Sequence, residues 1–103
     1  MSATVFEMKG NVLTAKPSGR LDANNAPVLE KELQQHLSDD VMQVIMDFAL
    51  VDYIASAGMR VLLATDQKME ERGGSMKLVQ VKKEVLEILE MVGFLDIIDV
   101  EEA

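Results

Sequence analysis

One serine, Ser56, stands where this sequence turns from extended to helical. The apolar stretch Val44-Ile45-Met46-Asp47-Phe48 precedes it, and a helical pattern from Val61 to Glu71 follows. Between them, Tyr53-Ile54-Ala55-Ser56-Ala57-Gly58-Met59-Arg60 forms the junction. The first turn of a helix carries backbone amides without intrahelical partners, and a serine there directs its hydroxyl toward them or toward solvent. Such a hydroxyl can cap the helix, help bind an anion, or carry a phosphate. The residue types alone leave all three open.

The remaining candidates for chemistry are sparse. The single histidine, His36, falls late in a helical segment among Gln34, Gln35 and Ser38, where a solvated imidazole suits the negative end of the helix dipole. Ser56 is flanked by Ile54 and Gly58 at the positions where a nucleophile elbow needs two glycines. Gly58 and Gly73-Gly74 make neither a Walker loop nor a dinucleotide fingerprint. The acidic residues show no metal-ligand spacing. Asp47 and Asp52 read as strand-end and turn residues, and Asp22 as a loop acid near the first helix. No enzyme activity, cofactor or metal is expected.

The elements that must position Ser56 follow from periodicity. Thr4 to Met8 and Asn11 to Lys16 alternate around Lys9-Gly10 and predict a β-hairpin. Pro17-Ser18-Gly19-Arg20 is expected to end its second strand. A helix follows, with Asn25 as N-cap, Pro27 in the first turn, and Ala26, Leu29, Leu33 and Leu37 as its apolar stripe. Val41 to Asp47 predicts a strand buried on both faces, as in a parallel sheet. Phe48 to Ser56 reads as the loop leading to a second helix, which ends at Gly73-Gly74. In that helix Ala57, Val61 and Ala64 share a face, with Leu62, Thr65 and Met69 beside them. Met76 to Val79 is a further strand, Val85, Ile88, Leu89 and Val92 mark a third helix stopped by Gly93, and Ile97 to Val100 closes the chain as a strand. The order β-β-α-β-α-β-α-β predicts an α/β fold: one mixed sheet with helices packed on it.

At 103 residues the sequence suits one domain, spanning 1–103, with a single core. Hydrophobic residues make up 49%, which excludes disorder, yet no run approaches the ~20 residues of a bilayer span. The first residues lack a basic and an apolar signal region, and there is no cysteine. A cytoplasmic protein is expected. The net charge of −8 argues against nucleic acid and anionic membrane as partners. Eight methionines suit an adaptable core.

The segment Asp47 through Asp52-Tyr53-Ile54-Ala55-Ser56-Ala57-Gly58-Met59-Arg60-Val61-Leu62-Leu63 resembles the central motif of STAS domains, in particular bacterial anti-sigma-factor antagonists. Gly19-Arg20-Leu21-Asp22 resembles the family's Gly-x-Leu/Ile-Asp segment. Gly73-Gly74-Ser75-Met76-Lys77-Leu78 and Met91 to Ile98 resemble its late strand and terminal helix. The resemblance spans essentially the whole chain and implies a partner switch. The unphosphorylated domain binds an anti-sigma factor that is also a serine kinase, and so frees the sigma factor. Phosphorylation breaks that complex, and a metal-dependent serine phosphatase restores it. The acceptor position matches Ser56, and Asp22 matches an acid that presents it to the kinase. Met59 and Arg60, on the same helix start, are expected to meet the partner. Two positions depart from the family: Ala55 replaces the usual Asp before the acceptor, and Ala57 replaces Ser or Thr after it. The second change leaves Ser56 as the one acceptor hydroxyl at the junction. A monomer is the simplest expectation. The alternative implied by the same resemblance is a constitutive STAS subunit of a lipid-transport ABC complex, and a small-ligand receptor ranks behind both.

Overall fold

A computed structural model of the chain describes residues 4–103. In order, its elements are β1 (Val5–Lys9), β2 (Val12–Lys16), β3 (Ser18–Leu21), α1 (Ala26–His36), β4 (Gln43–Asp47), β5 (Leu50–Ile54), α2 (Ser56–Glu71), β6 (Ser75–Val81), α3 (Lys83–Met91), a 3₁₀ turn at Phe94–Asp96, and β7 (Asp99–Glu102). The hairpin, the three helices and the α/β class agree with the sequence pattern. Two strands were not anticipated. β3 lies in the stretch expected to end the hairpin, and β5 occupies the expected loop before Ser56.

Five strands form one sheet in the order β1-β2-β4-β6-β7, antiparallel between β1 and β2 and parallel elsewhere. β3 and β5 form a separate two-stranded parallel sheet. In the large sheet, register aligns Leu13, Val44 and Met76 in one row and Ala15, Met46 and Leu78 in the next. All six are buried and belong to one core with Leu29 and Leu33 of α1 and Leu62 and Met69 of α2. The alternate positions Thr14, Ile45 and Lys77 are only half-buried. β4 therefore alternates rather than being buried on both faces, because the helices cover one face of the sheet more completely than the other. α3 buries Val85 and Leu89 and packs against β5.

The ends of elements differ from expectation by a few residues. Gly73, with φ of 78°, stops α2 in the left-handed conformation that glycine adopts without strain. The Gly74 amide donates to Met69 O at 2.7 Å and the Gly73 amide to Glu70 O at 3.0 Å, satisfying two carbonyls of the last turn. The Arg72 guanidinium then ties this end to the α1–β4 loop, donating to Ser38 O at 2.8 Å and Val41 O at 3.0 Å. Val92 is exposed, so the third apolar stripe ends at Leu89. Ile97 is also exposed and precedes the closing strand, which starts only at Asp99. No helix among the described residues is long and apolar enough to cross a membrane.

Candidate functional site

β3 and β5 run parallel and finish in register, Arg20 beside Tyr53 and Leu21 beside Ile54. Their next residues, Asp22 and Ala55, therefore leave the same end of the small sheet. The Ala55 amide donates to Leu21 O at 3.0 Å, stitching the two exits together. Asp22 and Ser56, far apart in sequence, are each one residue from that hydrogen bond.

Gly58 makes the close approach possible. A Cβ at this position would lie 2.8 Å from Leu21 O and 2.9 Å from Ile54 Cγ1. Backbone oxygen cannot move aside as a flexible side chain would, so the first turn of α2 sits against the end of β3 only because residue 58 has no side chain. A glycine inside a helix costs roughly 0.5–1 kcal/mol relative to alanine, and a glycine retained there at that cost is the sequence signal of a tight contact.

Ser56 is the first residue of α2 rather than its N-cap. Ala55, extended at φ −105° and ψ 175°, holds the cap position, and no side chain caps this helix. The Ser56 side chain is exposed and makes no hydrogen bond among the described residues. The hydroxyl is thus free of the capping role its residue type suggested. Arg60, one turn on, is exposed as well. Met59 is half-buried and packs against the core, so it offers only part of its surface.

Asp22 is occupied differently. Its Oδ1 accepts from the amides of Asn24 at 3.1 Å and Asn25 at 3.0 Å, which closes the turn into α1. Asn25 is at the N-cap position but makes no capping bond; its Nδ2 instead donates to Arg20 O at 2.8 Å. Two polar contacts that sequence reading did not supply flank the same region. The Arg20 guanidinium lies 4.2 Å from the centre of the Tyr53 ring, and Lys82 Nζ donates to Asp52 Oδ1 at 2.6 Å. Asp52 is therefore a paired residue of β5, not a turn acid. Asp47 does behave as a strand-end acid, accepting from the Ala49 amide at 2.9 Å.

His36 lies apart from this site. It ends α1, with Nδ1 2.9 Å from Glu32 O and its ring stacked 3.8 Å from Phe6 of β1. Among the described residues no three His, Cys, Asp or Glu side chains group as metal ligands do. What the geometry offers is an exposed, uncommitted hydroxyl on a rigid helix start, beside an acidic turn.

Known proteins share this fold. The STAS domain family model matches residues 3–103. BtrV, a candidate anti-sigma factor antagonist of Bordetella bronchiseptica, is 34% identical over 97% of this chain and 85% of its own length. The anti-sigma-B factor antagonist of Bacillus subtilis is 28% identical over 87% of this chain and 82% of its own. The solved structure of the anti-sigma factor antagonist SpoIIAA, unphosphorylated, superposes with a TM-score of 0.81 at 17% identity, covering 95% of this chain and 87% of that one. Its phosphorylated form superposes at 0.73 and 16% identity, covering 95% and 90%. With the family model spanning nearly every residue, from the hairpin through the small sheet and the Ser56 junction to the last strand, the chain belongs to the STAS domain family.

Proposed function

We infer that this STAS domain is an anti-sigma factor antagonist switched by phosphorylation of Ser56. Unphosphorylated, it binds an anti-sigma factor that is also a serine kinase and so releases the sigma factor; phosphorylation ends that binding, and a metal-dependent serine phosphatase restores it. The role is regulatory rather than enzymatic, needs no cofactor, and belongs in the cytoplasm. The observation that carries this reading is the Ser56 hydroxyl, exposed at the first position of α2 and engaged in no hydrogen bond of the fold. The similarity to antagonists from two organisms supports the partner class.

The physics of the site supports a switch that spares the fold. A phosphate adds roughly −1.5 to −2 charges at neutral pH, and the free amides of a helix start favour it. Arg60, one turn along the same helix, adds a cation within the range of i,i+4 pairs. An interface closed over Ser56 would instead bury that charge unpaired, at ~2–5 kcal/mol. Since each ~1.4 kcal/mol is tenfold in affinity, binding is lost while folding persists.

The test is to incubate the chain with the anti-sigma factor kinase of its own organism and ATP, and follow intact mass. One phosphate on Ser56 is expected, none on Ser56→Ala, and constitutive partner binding by that variant. Ser56→Glu should not bind. Phosphate placed on Ser18 or Thr65 in the Ser56→Ala protein would sink the assignment.

A further inference from the structure

The groove between α1 and α2 begins at the Ser56 end of α2 and continues well beyond it. Its first hollow, of about 370 Å³, is floored by Ala26, Ala57 and Val61 and edged by Arg60 and Glu30. A second, of about 320 Å³, shares Glu30 and runs on past Ala64 to Lys68. Small side chains along the α2 wall leave the helix backbone open to close approach.

The charges along this groove are arranged against the trend of the molecule. On a chain of net charge −8, half of the ten Lys and Arg side chains are already engaged. Lys9, Lys77 and Lys82 pair with carboxylates, Arg20 covers Tyr53, and Arg72 binds backbone carbonyls. Arg60 and Lys68 form no ion pair among the described residues, both are exposed, and both stand on the α2 side of the groove. Eight residues of helix separate them, about 12 Å along the axis at ~1.5 Å per residue.

We propose that the α1–α2 groove docks an acidic helix of the anti-sigma factor, with carboxylates about two turns apart meeting Arg60 and Lys68. A helix carrying carboxylates about eight residues apart reproduces the ~12 Å spacing. The small residues between the two cations admit its backbone, and Glu30 on the α1 side repels an acid placed in the wrong register. The surface is continuous with the Ser56 end of α2, so a partner covering Ser56 is carried along the groove to Lys68. This assignment rests on the reading that the chain binds an anti-sigma factor there, and it adds a second anchor that phosphorylation does not touch.

The experiment measures affinity of the full chain for the purified anti-sigma factor kinase of its organism at low and high salt. Lys68→Glu should weaken binding about tenfold or more at low salt, since a like charge then faces the partner's carboxylate. The loss should shrink toward ~1 M salt, where screening acts over ~3 Å. Lys31→Glu, an exposed cation outside the groove, should bind as wild type, and the thermal transition of each variant checks folding. Wild-type affinity in Lys68→Glu together with lost binding in Ser56→Glu overturns the groove while leaving the phosphoswitch in place. Wild-type affinity in Ser56→Glu overturns the switch itself. Sedimentation of the chain alone supplies a further arm: self-association abolished by Lys68→Glu would give the groove to a second copy and overturn the proposal.

Discussion

The starts of α1 and α2 lie side by side, tied through Leu21 O and the Ala55 amide, yet they are built on opposite principles. At α1 the polar side chains are consumed by the fold. Asp22 closes the turn with two backbone amides, and Asn25 reaches back to Arg20 O. At α2 the cap position is an alanine, and the serine beside it contributes no hydrogen bond. One helix start commits its polar groups to stability; the other keeps a hydroxyl available for chemistry from outside. A group that holds the fold together cannot be modified without unfolding it, so a reversible switch belongs at the second kind of site.

The comparison breaks most severely where the two helix starts touch. Gly58→Ala should destabilise the protein by ~1–3 kcal/mol, although alanine favours helices over glycine by ~1 kcal/mol, because the new Cβ overpacks against Leu21 O. Urea denaturation measures this, and an unchanged or increased stability would show that α2 does not need the close approach. Asp22→Ala is next. It strips two amides of the turn of their acceptor and should cost ~1–2 kcal/mol, whereas Asp22→Asn retains an oxygen there and should cost much less. If Asp22→Asn instead slows phosphorylation of Ser56 at native stability, the carboxylate charge itself serves the kinase.

A smaller effect is expected midway along α2. Burial pushes the Asp66 carboxyl above its ordinary range, and the charge of Glu70 and a hydrogen bond to it add to that shift. A raised value means the folded protein holds the proton more tightly than the unfolded chain. The stabilisation is complete below the ordinary carboxylate pKa of ~3.9 and is lost as pH rises through the raised value. Asp66→Asn should therefore raise the melting temperature at neutral pH, and its advantage over wild type should vanish in acid. A pH-independent difference would remove protonation from the account. The smallest change is expected at Ser56→Ala: with no capping bond to lose, and alanine a better helix former than serine, stability should stay within ~0.5 kcal/mol of wild type. A loss near ~2 kcal/mol would mean that the hydroxyl caps the helix in solution after all.

The sequence by itself determined the helices, the hairpin and the parallel core strand, because each is written in local periodicity. Leu29, Leu33 and Leu37 recur once per helical turn and are all buried, and Gly73 marks the helix end where only glycine avoids strain. The motif around Ser56 was equally legible, since it is contiguous. The tertiary structure alone decided the small sheet. Ser18–Leu21 and Leu50–Ile54 are four and five residues long, too short for a period to show, and they become strands only by pairing with each other across a long stretch of chain. It also decided which polar groups the fold uses. Asp22, Asn25 and Ser56 are all favoured helix-start residues, and nothing in their types distinguishes them. Their difference comes from backbone geometry: the turn before α1 points two amides at Asp22, while extended Ala55 takes the cap position of α2 and leaves Ser56 facing solvent.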